Sequence, residues 1–291
     1  MNTISGLGVA LITPFKKDKS IDFEALGRIV EHVTAGGSDF LVVLGTTAEN
    51  PVLDVQEKRD IVRFVAERNH KKLPLVTGVG GNNTKEVVNN VTNLYAEADA
   101  VLSVAPYYNK PSQRGLIEHF TAIADASPKP VIIYNVPGRT GVNITADTCL
   151  KLSEHRNITA IKEASTDLNQ LSYILRDRPA DFTVLSGDDG LTLAQIAMGI
   201  DGVISVVANA FPQKFGDMVH TALKGDFSAS RLIYLQMIEV INLLFAEGNP
   251  VGVKAVMSIQ GLIENELRLP LAESSKTLYE KFVRLGIASW K

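Results

Sequence analysis

The sequence predicts an α/β protein: a (β/α)8 barrel followed by a C-terminal appendage of three helices. Short apolar, β-branched runs, each bounded by Gly, Pro, Asn or Asp, recur eight times across residues 7–206, with helix-patterned segments between them. After Gly225 the strand pattern stops and only helical spacing remains. Strand alternating with helix eight times is the rhythm of a barrel whose active site lies at the C-terminal mouth. The boundary implied is a catalytic barrel over 1–225 and a helical domain over 226–291.

Taken in order, the runs are Leu7–Ile12, Phe40–Leu44, Leu75–Val79, Ala100–Val104, Val131–Tyr134, Ile158–Lys162, Phe182–Leu185 and Gly202–Val206. Each is too short for a buried helix, which favours strand. In Asp54–Asn69 the apolar residues Val55, Ile61, Val62 and Val65 stand among Glu, Lys and Arg at helical spacing. Thr84–Ala96 and Ser112–Ala124 read the same way, with Thr84 and Ser112 as N-caps. Ser228–Ala246, Val251–Leu262 and Ser274–Leu285 form the closing helices, broken by Gly248-Asn249-Pro250 and Leu269-Pro270-Leu271. A doubly wound open sheet is the alternative, but it would carry a Gly-rich loop after its first strand. Here that strand runs into Thr13-Pro14-Phe15.

At 291 residues and 45% hydrophobic, the chain can bury one large core. A net charge of -3 gives no electrostatic reason to expect nucleic acid or an anionic membrane as partner. Cys149 is the single cysteine, so no internal disulfide forms, and its setting reads as a helical packing position. The apolar stretch from Gly6 to Pro14 lacks a basic lead and a cleavage site, and no run reaches the roughly 18 residues of a bilayer span. A cytoplasmic protein is expected, with the Asn-x-Thr triplets at Asn82, Asn90, Asn143 and Asn157 unglycosylated. The five histidines show no metal-ligand spacing, so no metal is expected.

Polar residues gather just past the strands. Lys162 ends the sixth run, where desolvation would lower its pKa and leave a neutral amine able to attack a carbonyl. The competing reading is a lysine that reaches solvent or pairs with Glu163. Counting along the fifth and sixth runs places Tyr134 and Lys162 at matching depth on adjacent strands. A phenol beside an amine suits imine chemistry, which needs a proton donor and acceptor. Thr46 and Thr47 follow Gly45 in a turn fit for a small carboxylate, although an ordinary turn with satisfied hydroxyls would look alike. Arg139, in Pro137-Gly138-Arg139-Thr140-Gly141, either forks onto a carboxylate or is a solvated loop residue. Tyr107 and Tyr108 are core or interface aromatics. Asp188 and Asp189 after the seventh run would repel phosphate.

Together these loops resemble the dihydrodipicolinate synthase family, within the pyruvate-dependent lysine-imine lyases and aldolases. The resemblance runs from Gly6-Leu7-Gly8-Val9-Ala10-Leu11-Ile12-Thr13-Pro14-Phe15 to the closing helices. Its common features are Gly45 to Glu49, the Tyr134-Asn135-Val136-Pro137 loop and Lys162. More specific are the paired threonines, Tyr107-Tyr108-Asn109-Lys110-Pro111, and Arg139 before Thr140-Gly141.

The resemblance implies that Lys162 forms an imine with pyruvate, with no other cofactor, and that Tyr134 shuttles protons. It implies a relay through Thr46 and Tyr108, the latter entering from a neighbouring subunit of a homo-oligomer, expected as a tetramer built from two dimers. Thr47 would hold the pyruvate carboxylate, Arg139 that of L-aspartate 4-semialdehyde, and Gly187 and Ile204 would line the pocket. The product would be 4-hydroxy-tetrahydrodipicolinate, on the diaminopimelate route to lysine. Ala48 departs from the glycine usual in the turn. Asn82, Glu86 and Tyr107 partly match the family's lysine-feedback site, whereas Lys58 and Val55 depart from it. A second ammonium there costs Coulomb energy against a cationic effector, so weak feedback is expected. Two other readings are a sialic-acid or sugar-acid lyase of the same group, from which Arg139 discriminates, and a non-catalytic barrel that binds pyruvate-like metabolites.

Overall fold

A computed structural model describes residues 4–93 and 95–290. Eight parallel strands close into a barrel in sequence order. They are β1 Gly6–Ala10, β2 Phe40–Val43, β3 Leu75–Gly78, β4 Ala100–Val104, β5 Val131–Asn135, β6 Ile158–Glu163, β7 Thr183–Ser186 and β8 Gly202–Ser205. All eight predicted runs are strands, with no end displaced by more than two residues.

The period-two geometry of a strand divides its side chains between two cores. Inside the barrel lie Ala10, Phe40, Val42, Val76, Ala100, Leu102, Ile132, Ala160, Leu185 and Ile204. The alternate residues, among them Leu7, Val9, Leu41, Val131, Ile133, Ile161 and Val184, pack outward against the helices. Large and small residues interdigitate in the interior: Gly8 is in register with Phe40, and a Cβ on Gly8 would lie 2.2 Å from the Phe40 ring.

Helix ends follow local chemistry. Asp54 and Glu57 form a reciprocal capping box at the start of Val55–Asn69, satisfying two otherwise orphan donors. Ser112 caps Gln113–Ala126 through the Gly115 amide, as predicted. Thr84 is not a cap. It is the first residue of the helix Thr84–Thr92, after Asn83, and its hydroxyl instead meets His119 Nδ1 at 2.9 Å. The predicted extension of that helix to Ala96 crosses Leu94, which lies outside the described residues; the helix itself stops at Thr92.

Beyond the barrel come Phe227–Phe245, Val251–Ile259 and Lys276–Arg284, within one to three residues of the predicted bounds. Cys149 is buried in the helix Ala146–Ser153, a packing position. Among the described residues no helix is long and apolar enough to cross a membrane.

Candidate active site

Strand register sets the centre of the site. Tyr134 on β5 is paired with Lys162 on β6. Ile132 and Ala160 point into the barrel, so the residues two further along do so as well. Both side chains are buried, and Lys162 Nζ lies 4.3 Å from the Tyr134 ring centroid. Lys162 therefore neither reaches solvent nor pairs with Glu163, whose side chain points the other way.

Burial pulls the Lys162 pKa down to about 8; Asp189 opposes the shift and Arg139 adds to it. Burial likewise pushes Tyr134 up to about 12, against the Arg139 charge and a hydrogen bond with Thr46. At neutral pH Tyr134 is thus a phenol, with a proton to give and a lone pair to receive one.

Outside the barrel, one register step on, Asn135 is paired with Glu163. Asn135 Nδ2 donates to both Glu163 carboxylate oxygens at 3.0 Å, and the Ser165 amide donates to Oε1 at 2.7 Å. Burial raises the Glu163 pKa, while these donors favour its ionised form. This clasp ties β5 to β6 immediately beyond the Tyr134–Lys162 pair.

Above the pair opens a cavity of about 430 Å³ lined by Lys162, Tyr134, Thr46, Thr47, Arg139 and Gly187, together with Asp188, Val206 and Asn249. A Cβ on Gly187 would lie 3.0 Å from Lys162 Cε and 2.6 Å from Ala164 Cβ, so glycine leaves the lysine its room. Thr46 and Thr47 sit in one turn of 3-10 helix, Thr46–Ala48, after Gly45. Thr47 is buried and accepts a hydrogen bond from Asn249 Nδ2 at 2.9 Å. Arg139 lies in a single helical turn, Pro137–Thr140, and its Nη2 donates to the Asn249 carbonyl at 3.3 Å.

A second lobe of about 280 Å³ adjoins the first and is lined by Tyr107, Asn50, Gly78 and Arg139 among others. Near it, Asn82 Nδ2 donates to the Tyr107 carbonyl at 3.1 Å. Burial lowers the Lys58 pKa and the charges of Glu86 and Asp54 oppose that shift, which sets Lys58 and Glu86 within electrostatic reach of each other.

Two of the candidates for the reaction itself are not in the cavity wall. Tyr108 is 88% exposed, with a left-handed backbone (φ 73°), and projects away from its own barrel. Ile204 lies in the barrel interior, in register with Gly8, and Val206, just past the end of β8, lines the cavity.

Other residues of the site take their partners only in the folded chain. Asp189 is buried, and its Oδ2 accepts the Val206 and Val207 amides at 2.9 and 3.2 Å. Lys254 is fully buried and forms a close ion pair with Glu49, and it also donates to the Glu266 carbonyl at 2.9 Å. The Arg268 amide donates to the other Glu49 oxygen at 3.0 Å. Glu49 is a left-handed residue (φ 55°) ending the threonine turn, so residues of the C-terminal region hold that turn from behind. Such long-range partners leave no local spacing to read. Among the described residues, no group of three His, Cys, Asp or Glu side chains is placed to share a metal ion.

A family model of the dihydrodipicolinate synthetase family matches residues 3–286. The chain belongs to this family. It is 50% identical over 280 residues to the 4-hydroxy-tetrahydrodipicolinate synthase of Parabacteroides distasonis, covering 96% of this chain and 94% of the relative. The crystal structure of dihydrodipicolinate synthase from Aquifex aeolicus superposes with a TM-score of 0.93 at 42% identity, covering 97% of each chain. The chloride-inhibited enzyme from Acinetobacter baumannii, complexed with pyruvate, superposes with a TM-score of 0.96 at 35% identity, covering 99% of this chain and 100% of that one.

Proposed function

We infer that the chain is a lyase with 4-hydroxy-tetrahydrodipicolinate synthase activity, condensing pyruvate with L-aspartate 4-semialdehyde in lysine biosynthesis. The observation that carries the chemical part of this reading is the pairing of Lys162 with Tyr134 in the barrel mouth, a neutralisable amine against a buried phenol.

In this reading the neutral Lys162 amine attacks the ketone carbon of pyruvate. Tyr134 delivers the proton that lets the carbinolamine lose water to the imine. Loss of a methyl proton gives the enamine, whose carbon attacks the aldehyde of the second substrate. The amine of that substrate then displaces Lys162, closing the six-membered ring and freeing the enzyme. The chemistry runs on the covalent imine, without a cofactor.

Thr47, buried in the cavity wall, is assigned to the pyruvate carboxylate. Arg139 is assigned to the carboxylate of the second substrate, where its fork offers two donors. Thr46 links Tyr134 toward solvent, and Gly187 supplies clearance for Lys162. Tyr108, turned out from its own barrel, is assigned to the relay of a neighbouring subunit. That role requires at least a dimer, and a homotetramer in the cytoplasm is proposed. The boundary between a catalytic barrel over 1–225 and a helical domain over 226–291 is kept as a proposal, with the second gripping the first through Lys254 and Glu49. Arg139 favours aspartate semialdehyde over a sialic acid as second substrate.

Borohydride reduction in the presence of pyruvate, followed by mass mapping, tests the mechanism. One adduct is expected, on Lys162, and none in Lys162→Ala. An adduct on another lysine would overturn the assignment.

A further inference from the structure

We infer that Asn249 is a positioning residue that sets the direction in which the Thr47 hydroxyl donates its proton, and so prepares the pyruvate end of the cavity. The inference rests on the reading of Thr47 as the group that meets the pyruvate carboxylate.

Asn249 lies between the helices Phe227–Phe245 and Val251–Ile259, far along the chain from the threonine turn. It is 8% exposed and forms part of the cavity wall. Its two ends do different things. The side-chain Nδ2 donates to Thr47 Oγ1 at 2.9 Å, while the main-chain carbonyl accepts from Arg139 Nη2 at 3.3 Å.

A threonine hydroxyl has one proton to give and two lone pairs. With Asn249 occupying a lone pair, the Thr47 proton must point elsewhere, and a bound carboxylate is the acceptor that would use it. Donation into the oxygen also polarises the O–H bond, which strengthens its onward hydrogen bond. An aspartate at position 249 would have the opposite effect. A carboxylate only accepts, so it would take the Thr47 proton for itself and leave the ligand facing a lone pair. Alanine would only release the hydroxyl to rotate. The side chain and the main chain of Asn249 therefore act on different subsites, and a side-chain substitution addresses the pyruvate end.

The test uses the full chain and reads borohydride trapping by intact mass as a function of pyruvate concentration, without the second substrate. In Asn249→Asp the half-saturating pyruvate concentration should rise about tenfold, the scale of one hydrogen bond to a charged group, and in Asn249→Ala by less. In a Thr47→Val background neither substitution should add to the effect of Thr47→Val alone, since coupled residues are non-additive. In a Thr47→Ser background, which keeps the hydroxyl, sensitivity to Asn249→Asp should return. Equal effects of Asn249→Asp and Asn249→Ala, or full additivity with Thr47→Val, would reduce Asn249 to a packing residue and overturn the inference. If Asn249→Ala does not fold, Asn249→Asp decides alone, compared in the unmodified chain and in the Thr47→Ser and Thr47→Val backgrounds. Pyruvate trapping that Thr47→Val leaves untouched would instead overturn the role given to Thr47.

Discussion

Lys162 Nζ sits over the face of the Tyr134 ring, 4.3 Å from its centroid, while the phenol oxygen is hydrogen-bonded with Thr46. The contact with the amine is therefore made by the ring, and the hydroxyl is held toward the threonine turn, free to exchange a proton with a carbinolamine oxygen. Removing that hydroxyl leaves the packing in place. Tyr134→Phe should fold normally and lower kcat by roughly 10²–10⁴-fold, the range for loss of a general acid-base group. Steady-state kinetics with a circular dichroism control would check it, and unchanged turnover would place the proton path elsewhere.

The pH dependence follows from the amine. Burial lowers the Lys162 pKa to about 8, so the ammonium dominates below that pH and cannot attack. The rate of imine formation should rise about tenfold per pH unit below pH 8 and level off above it. Stopped-flow trapping across neutral and alkaline pH would measure this. A midpoint near the ordinary lysine value would mean that the site opens to water before reaction.

Arg139 has a different partner. Its guanidinium reaches the cavity from the turn Pro137–Thr140 and leans on the Asn249 carbonyl. A charge-assisted hydrogen bond is worth about 1.5–3 kcal/mol, so Arg139→Ala should raise the KM for aspartate semialdehyde at least about tenfold. Pyruvate trapping should stay nearly intact. Loss of trapping in a folded variant would show that this arginine serves pyruvate.

Feedback by lysine should be weak. Glu86 already has the Lys58 charge within electrostatic reach, and a cationic effector would have to compete with it. Inhibition curves at fixed pyruvate should show little effect of L-lysine at physiological concentrations, and Lys58→His should sharpen the response. Strong saturable inhibition of the unmodified chain would show that Asn82, Glu86 and Tyr107 suffice.

By itself the sequence determined the strand-and-helix order, the barrel and the lysine–tyrosine pair. These follow from local pattern: apolar runs of strand length, turn residues between them, and a two-residue alternation that carries Lys162 inward behind Ala160. Matching depth along neighbouring runs was enough to bring Tyr134 beside it, because parallel register in a barrel is fixed over short distances. Tertiary structure alone decided what holds the pair and its loops. Asn249 meets Thr47 across 202 positions of chain, and Lys254 meets Glu49 across 205. Neither contact has a spacing or period that marks it. Lys254 falls within an otherwise apolar stretch of helix, and only its burial against Glu49 distinguishes it from a surface lysine.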